Sequence, residues 1–211
     1  MVKPYRILIY ERGGTDDLYH ALPKREGDVE DFILNNLKPG DTFIDVGANI
    51  GYYTILASKL VGVNGRVLAI EPVPQTANIL KINLLLNKAN NVTLIEKAAW
   101  NTVGKLRVKL PKGWFGLASL FRDDGWEIEV DAIPLDEVLS YEQLSKIKLI
   151  KIDVEGAEYE VLQGSTRILQ NTKMVILELS RKTESCLRLL QTLGFKVHKL
   201  KFATYYVCSR P

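Results

Sequence analysis

The stretch DTFIDVGANIGYYT, residues 41–54, constrains the fold more than any other part of this chain. TFIDV (42–46) is short, apolar and rich in β-branched residues, as a strand buried on both faces must be. A tight turn follows through Gly47-Ala48-Asn49. A helix then opens near Gly51, and Ile50, Tyr53, Ala57, Leu60 and Val61 form its apolar stripe. The same rhythm continues. RVLAIE (66–71), VTLIEK (92–97), KLIKID (148–153) and MVILEL (174–179) read as further buried strands. Ile79, Ile82 and Leu86, beside Leu80 and Leu84, form a second helical stripe. Strand–helix alternation predicts a doubly wound, mostly parallel α/β sheet with right-handed crossovers.

The end of the chain changes register. FKVHKL (195–200) and TYYVCS (204–209) are three residues apart, Lys201 to Ala203, which predicts a hairpin and an antiparallel last strand. Earlier, YRILIYER (5–12) is a candidate strand. GDVEDFILNNLKPG (27–40) reads as a helix capped by Asp28, with Phe32 and Ile33 inward and Gly40 near its stop. Residues 101–135, with two tryptophans and several glycines, fit either a pair of strands or an ordered loop. No repeat or low-complexity linker divides the chain. Its 211 residues suit one domain, 1–211, with 1–40 as an N-terminal extension or lid and 41–211 as the ligand-binding core.

Charge and composition remove several classes. No stretch approaches the roughly 18 apolar residues of a membrane helix, so no membrane association is expected. The ILIY run near the N-terminus is too short for a signal-peptide core, which predicts a cytoplasmic protein. A net charge of +3 is too mild for a dedicated nucleic-acid binder, and it argues weakly against nucleic acid as a partner. Cys186 and Cys208 form no metal-type cluster and are expected to be buried and reduced.

The loop after the first strand selects among ligands. A dinucleotide fingerprint needs glycines at its first, third and sixth positions. Here the first position is Asp45 and the sixth Ile50, so the pattern fails, and with it a nicotinamide dehydrogenase. A carboxylate at Asp45 repels a pyrophosphate and suits a ligand bearing an amino group and a sulfonium, such as S-adenosylmethionine. The second strand ends in Glu71, where an acid can accept both ribose hydroxyls. Gly47 permits the sharp turn and close ligand approach, and Gly51 permits close packing of helix on strand.

Four segments carry a resemblance. DTFIDVGANIGYYT, AIEPVPQTANILKINLLLN, VDAIPLDEVL and IKLIKIDVEGAEYEVLQG, spread over residues 26–180, closely resemble the FkbM family of methyltransferases. The resemblance implies a Rossmann-like, seven-stranded class I methyltransferase fold, mostly parallel with an antiparallel C-terminal strand. It also implies S-adenosylmethionine as donor and, usually, transfer to a hydroxyl oxygen. Family members act on varied acceptors, sugars and natural products among them, so a small-molecule or sugar acceptor is expected without its identity. Asp45, Gly47, Asn49 and Gly51 match the family's donor loop, Glu71 its ribose acid, and Asp153, Glu155, Gly156 and Glu158 its second signature. With their neighbours these make the expected donor set Asp45, Gly47, Ala48, Asn49, Gly51, Tyr52, Glu71, Pro72, Ala98 and Asp153. One departure is that the place where many methyltransferases carry an adenine-binding acid falls near Ala98-Ala99. Main-chain groups would then read the adenine, with Trp100 nearby.

The acceptor side is read from LIKIDVEGAE. Asp153 stands at the carboxyl end of the fourth strand, the edge where open α/β sheets bind ligands. Asp153, Glu155 and Glu158 put three carboxylates within six residues. If a helix starts at Gly156, the two glutamates also suit its N-terminus. A hydroxyl acceptor must lose a proton, so Asp153, Glu155 and, from the N-terminal segment, His20 are the candidate catalytic bases. Lys151 shares a strand face with Asp153 and can pair with it. Magnesium on Asp153, Glu155 and Glu178 is a weaker alternative, and the expectation is no metal. His198 belongs on a surface strand. The competing function is nitrogen methylation of RNA or protein, disfavoured by the absence of a proline after Asp153. A donor-binding module without catalysis would have no need of three acids at that edge.

Overall fold

The computed structural model describes residues 6–22, 24–139, 147–200 and 204–210. Seven strands form the main sheet: β1 (Thr42–Val46), β2 (Arg66–Ile70), β3 (Val92–Ile95), β7 (Ile147–Ile152), β8 (Met174–Glu178), β9 (Lys196–Lys199) and β10 (Tyr205–Ser209). Their order is β3-β2-β1-β7-β8-β10-β9, and β10 alone runs antiparallel to its neighbours β8 and β9. This is the expected doubly wound sheet with an antiparallel C-terminal strand. Strand order reverses between β1 and β7, so their carboxyl ends open the crevice where ligands bind in such sheets. The connection 201–203 lies outside the described residues.

Side-chain alternation along β1 sorts the core into two layers. Phe43 faces α2 (Gly27–Asn36) and α3 (Tyr52–Val61), packing with Val29, Ile33, Tyr53 and Leu56. Ile44 and Val46 face the other way, toward α5 (Glu158–Gln163), α6 (Thr166–Gln170) and α7 (Thr183–Thr192), with Val161, Ile168 and Leu190. Asp45 shares the Phe43 face, and the register pairs it with Lys151 of β7. A carboxyl and an ammonium group therefore sit side by side where apolar packing is otherwise continuous.

Residues 101–135 resolve into strands. β5 (Gly104–Leu110) and β6 (Trp126–Ile133) pair antiparallel, and β4 (Ala98–Ala99) joins β6 in a separate three-stranded sheet. The loop between β5 and β6 turns back, with an isolated bridge between Lys109 and Ser119.

Several local expectations change. Residues 6–12 are extended but enter no sheet. Their alternating polar groups are met by α4 (Pro74–Leu86) and the residue just after it: Asn87 accepts from the Leu8 amide (3.0 Å) and donates to its carbonyl (2.6 Å). Asn83 does the same for Tyr10 at 2.6 and 3.2 Å. Two asparagine amides four residues apart thus stand in for a strand edge. On α4 itself the buried face runs through Thr76, Ala77, Leu80 and Asn83, whereas Ile82 and Leu86 are exposed. Helix α2 starts at Gly27 with Glu26 at its cap position, so Asp28 lies in the first turn. Helix α5 starts at Glu158, two residues later than Gly156. Cys186 and Cys208 are buried and free, and His198 is exposed on edge strand β9.

Candidate active site

A cavity of about 280 Å³ opens at the carboxyl ends of β1, β2, β7 and β8. Its floor is the loop after β1. Gly47 and Ala48 both donate backbone N–H bonds to the Ile70 carbonyl at 3.0 Å, folding the loop onto the end of β2. Gly47 has φ +80°, and a Cβ there would lie 1.8 Å from the Asp153 carbonyl oxygen. Glycine at 47 is thus demanded by the end of β7, not only by room for a ligand. Gly51, with φ +96°, is crowded by Leu80 of α4, so its close packing is against the next helix.

Glu71 braces the same loop. Its two carboxylate oxygens accept the amides of Asn49 and Val73, each at 2.9 Å. Burial pushes its pKa up to about 7 against the pull of those amides. Each oxygen keeps a lone-pair direction for a hydroxyl, so the brace is compatible with ribose binding.

The donor residues proposed from sequence converge on this cavity with one exception. Gly47, Ala48, Asn49, Gly51, Tyr52, Glu71, Pro72, Ala98 and Asp153 all line it. Asp45 does not. It is 1% exposed and accepts from Thr54 Oγ1 at 2.6 Å, while its Oδ1 has no partner among the described residues. Burial raises its pKa despite Lys151 nearby. Trp100 also stays out of the lining and packs with the small sheet instead.

The acids after β7 form the opposite wall. Lys151 is 1% exposed and donates to Asp153 Oδ2 at 2.8 Å, and the Tyr205 hydroxyl donates to the same oxygen at 3.2 Å. Burial by itself would raise Asp153; the Lys151 ammonium overrides it and holds the carboxyl well below the usual range. Glu155 behaves oppositely. Burial, reinforced by the charges of Asp153, Glu178 and Glu158, pushes it up to about 8. Its backbone is held at φ +51°, and its carbonyl accepts from Ser119 Oγ at 2.7 Å. Glu178, which accepts from Thr204 Oγ1 at 2.6 Å, rises to about 7 through burial and the neighbouring Asp153 charge. Carboxylate oxygens of Asp153, Glu155 and Glu178 lie within 4.8 Å of one another. Glu158 turns away from this group, its Oε1 accepting the Gly156 amide at 2.8 Å.

A roof comes from two places: the N-terminal segment, expected as a lid, and the β5–β6 loop, which the sequence alone did not place there. Phe115 to Leu120 line the cavity. Asp16 accepts the Phe115 and Gly116 amides at 2.9 and 2.8 Å, and Arg12 lies 4.0 Å over the Phe115 ring. His20 lines the cavity as well, with Nε2 3.3 Å from Asp16 and Nδ1 buried without a partner among the described residues. Arg25, Glu26 and Tyr53 complete the wall. Apart from His20, none of these carries a local sequence signal, since each is defined by what lies across the cavity from it.

The comparisons agree with this geometry. Residues 45–202 match the methyltransferase FkbM domain. Hexuronic acid methyltransferase AglP of Haloferax volcanii is 29% identical over 171 residues, 73% of this chain and 62% of that protein. The 31-O-demethyl-FK506 methyltransferase FkbM of Streptomyces tacrolimicus is 27% identical over 158 residues, 61% of this chain and 60% of that one. The chain thus spans about three-fifths of the length of these relatives. Among solved structures, the precorrin-6y C5,15-methyltransferase of Geobacter metallireducens superposes with a TM-score of 0.57 at 19% identity, covering 97% of this chain and 94% of that one. That likeness shows the class I methyltransferase fold. The match over most of the chain, with Glu71, Asp153 and Glu155 gathered on one cavity, shows that this protein belongs to the FkbM family of methyltransferase domains.

Proposed function

We propose that this chain is an S-adenosylmethionine-dependent methyltransferase acting on a hydroxyl oxygen of a small molecule or sugar. The observation that carries the reading is Glu155. It is a half-buried acid on the cavity wall, raised to about 8, with two further carboxylates inside 4.8 Å. A general base works best when its pKa lies near the operating pH.

The residues present suit the donor. Glu71 offers free lone pairs to a ribose, Ala48 and Gly47 leave the floor open, and the acids at the β7 edge suit a cationic ligand. When bound there, S-adenosylmethionine supplies an activated methyl carbon. The chain's part is to position the acceptor, exclude water beneath the 115–120 roof, and take the acceptor's proton on Glu155. Asp153, held ionised by Lys151, keeps the charge that makes Glu155 basic. His20 is the second candidate base, at the roof. The names of the two relatives, a hexuronic acid methyltransferase and a 31-O-demethyl-FK506 methyltransferase, support sugars and hydroxylated natural products as the acceptor class.

Incubation with methyl-labelled donor and a panel of neutral sugars, hexuronic acids, hydroxylated natural products, RNA and protein tests the reading. Label on an acceptor oxygen is expected. Label only on nitrogen of RNA or protein would replace it with the competing function. The 4.8 Å carboxylate group also favours a second reading, a divalent cation that acidifies a diol. Loss of activity on chelation and its return with magnesium would select that one, whereas the base reading expects none.

A further inference from the structure

Arg25 is left unused by the assignments above. It lies two residues before α2, lines the cavity, and its side chain is 9% exposed. Nη1 forms an ion pair with Glu26 Oε1 at 2.8 Å, and the guanidinium stands 5.4 Å from the Tyr19 ring and 5.7 Å from the Tyr53 ring. Its Nε is buried and meets no acceptor among the described residues. Leaving a buried donor unmet is costly, and such groups are rare without a functional reason. A guanidinium takes a carboxylate through two parallel N–H bonds. With Nη1 engaged by Glu26, the edge carrying Nε remains for a second acid.

The position of that edge selects the acid. Strand order β2-β1-β7 places Glu71 on one side of Gly47 and Lys151 with Asp153 on the other. Lys151 Nζ stands 5.2 Å from the Tyr53 ring, so Tyr53 brings Arg25 to the Lys151 side. A ligand with its ribose at Glu71 therefore directs its far end toward Arg25. There two cations, Arg25 and Lys151, alternate with two carboxylates, Glu26 and Asp153. That pattern complements an α-amino acid, which carries one ammonium and one carboxylate. We propose that Arg25 is a carboxylate receptor, and that the carboxylate is the amino-acid end of the methyl donor. This rests on the reading of the cavity as the donor site.

The test compares S-adenosylhomocysteine with 5′-methylthioadenosine, a nucleoside thioether that lacks the amino-acid end, by calorimetry on the full chain. Arg25→Gln should weaken S-adenosylhomocysteine by about 10- to 100-fold, the range expected for lost charge-assisted hydrogen bonds. Methylthioadenosine should bind the variant as it binds wild type, which also reports that the pocket is folded. Arg25→Lys should recover part of the loss. Unchanged S-adenosylhomocysteine affinity in Arg25→Gln overturns the proposal, as does an equal loss for both nucleosides. If only D-glucuronate binding falls, with D-glucose as the neutral control, the carboxylate belongs to the acceptor and the donor assignment is overturned. If wild type binds neither nucleoside, the donor site itself fails, an outcome distinct from any effect of Arg25.

Discussion

Asp153 and Glu155 are separated by one residue and carry opposite electrostatics. Lys151 touches one and not the other. The paired acid is held ionised, and the unpaired one is pushed up to about 8 by burial and by its neighbours' charge. Environments that drive two acids apart divide their roles. Glu155→Gln keeps the shape and removes the proposed base. Turnover should fall by about two to four powers of ten, with S-adenosylhomocysteine affinity largely kept. Because the base must be deprotonated to act, kcat/KM of the wild type should rise with pH through about 8. A Glu155→Gln enzyme at near wild-type rate would move the base to His20 or Asp153.

The β1–α3 loop shows how one element is shaped by another. Gly47 and Gly40 both adopt positive φ, +80° and +90°. Around Gly40 nothing lies within 4 Å of an added Cβ, whereas at Gly47 the Asp153 carbonyl would be 1.8 Å away. Gly40→Ala should therefore cost only the left-handed backbone penalty, about 1–2 kcal/mol. Gly47→Ala adds a clash between the ends of β1 and β7, and should lose at least about 3 kcal/mol and weaken donor binding. Denaturant unfolding of the two variants measures the difference. Equal losses would show that the β7 end yields readily. The N-terminal segment is another such case. Its extended form is held by Asn83 and Asn87 and its roof contact by Asp16, so three polar side chains fasten it across the molecule.

At the scale of the whole molecule, the buried acids make stability depend on pH. Glu71, Glu155 and Glu178 are raised to about 7, 8 and 7, and Asp45 and Glu158 are raised as well, burial leading in every case. Above about pH 4.5 the unfolded chain has released its carboxyl protons, whereas the folded chain still holds those of Glu71, Glu155 and Glu178. The folded state then binds more protons, so stability is full below about pH 4.5 and falls as pH rises to about 8. Asp153 and Asp16, which are lowered, contribute stability that disappears only under more acidic conditions, so they do not offset the trend in this window. Thermal unfolding should give a Tm that declines from pH 5 to pH 8.5. A flat or rising curve would contradict the assignment of these protonated acids. A cationic donor at the acid wall should reduce the decline, since it favours the ionised forms.

The main sheet was legible because its cause is local. Buried parallel strands such as TFIDV and MVILEL must be apolar on both faces, and the 195–209 spacing leaves little choice but an antiparallel partner. Glu71 and Asp153 were legible for the same reason, since strand ends in an α/β sheet face the ligand crevice and the ends can be read from the run of apolar residues. YRILIYER looked like a strand because it alternates, yet alternation says only that an extended segment has two faces, and here a helix supplied the partner. Asp45 was placed at the ligand by its charge and by its match to the donor loop. The register that sets it opposite Lys151 and buries it behind the cavity is a relation between strands more than 100 residues apart. Arg25, Phe115 and Tyr205 owe their place to the same kind of relation. A residue's chemistry is written in its side chain, but its neighbours across a cavity follow from packing and register, which no window of sequence contains.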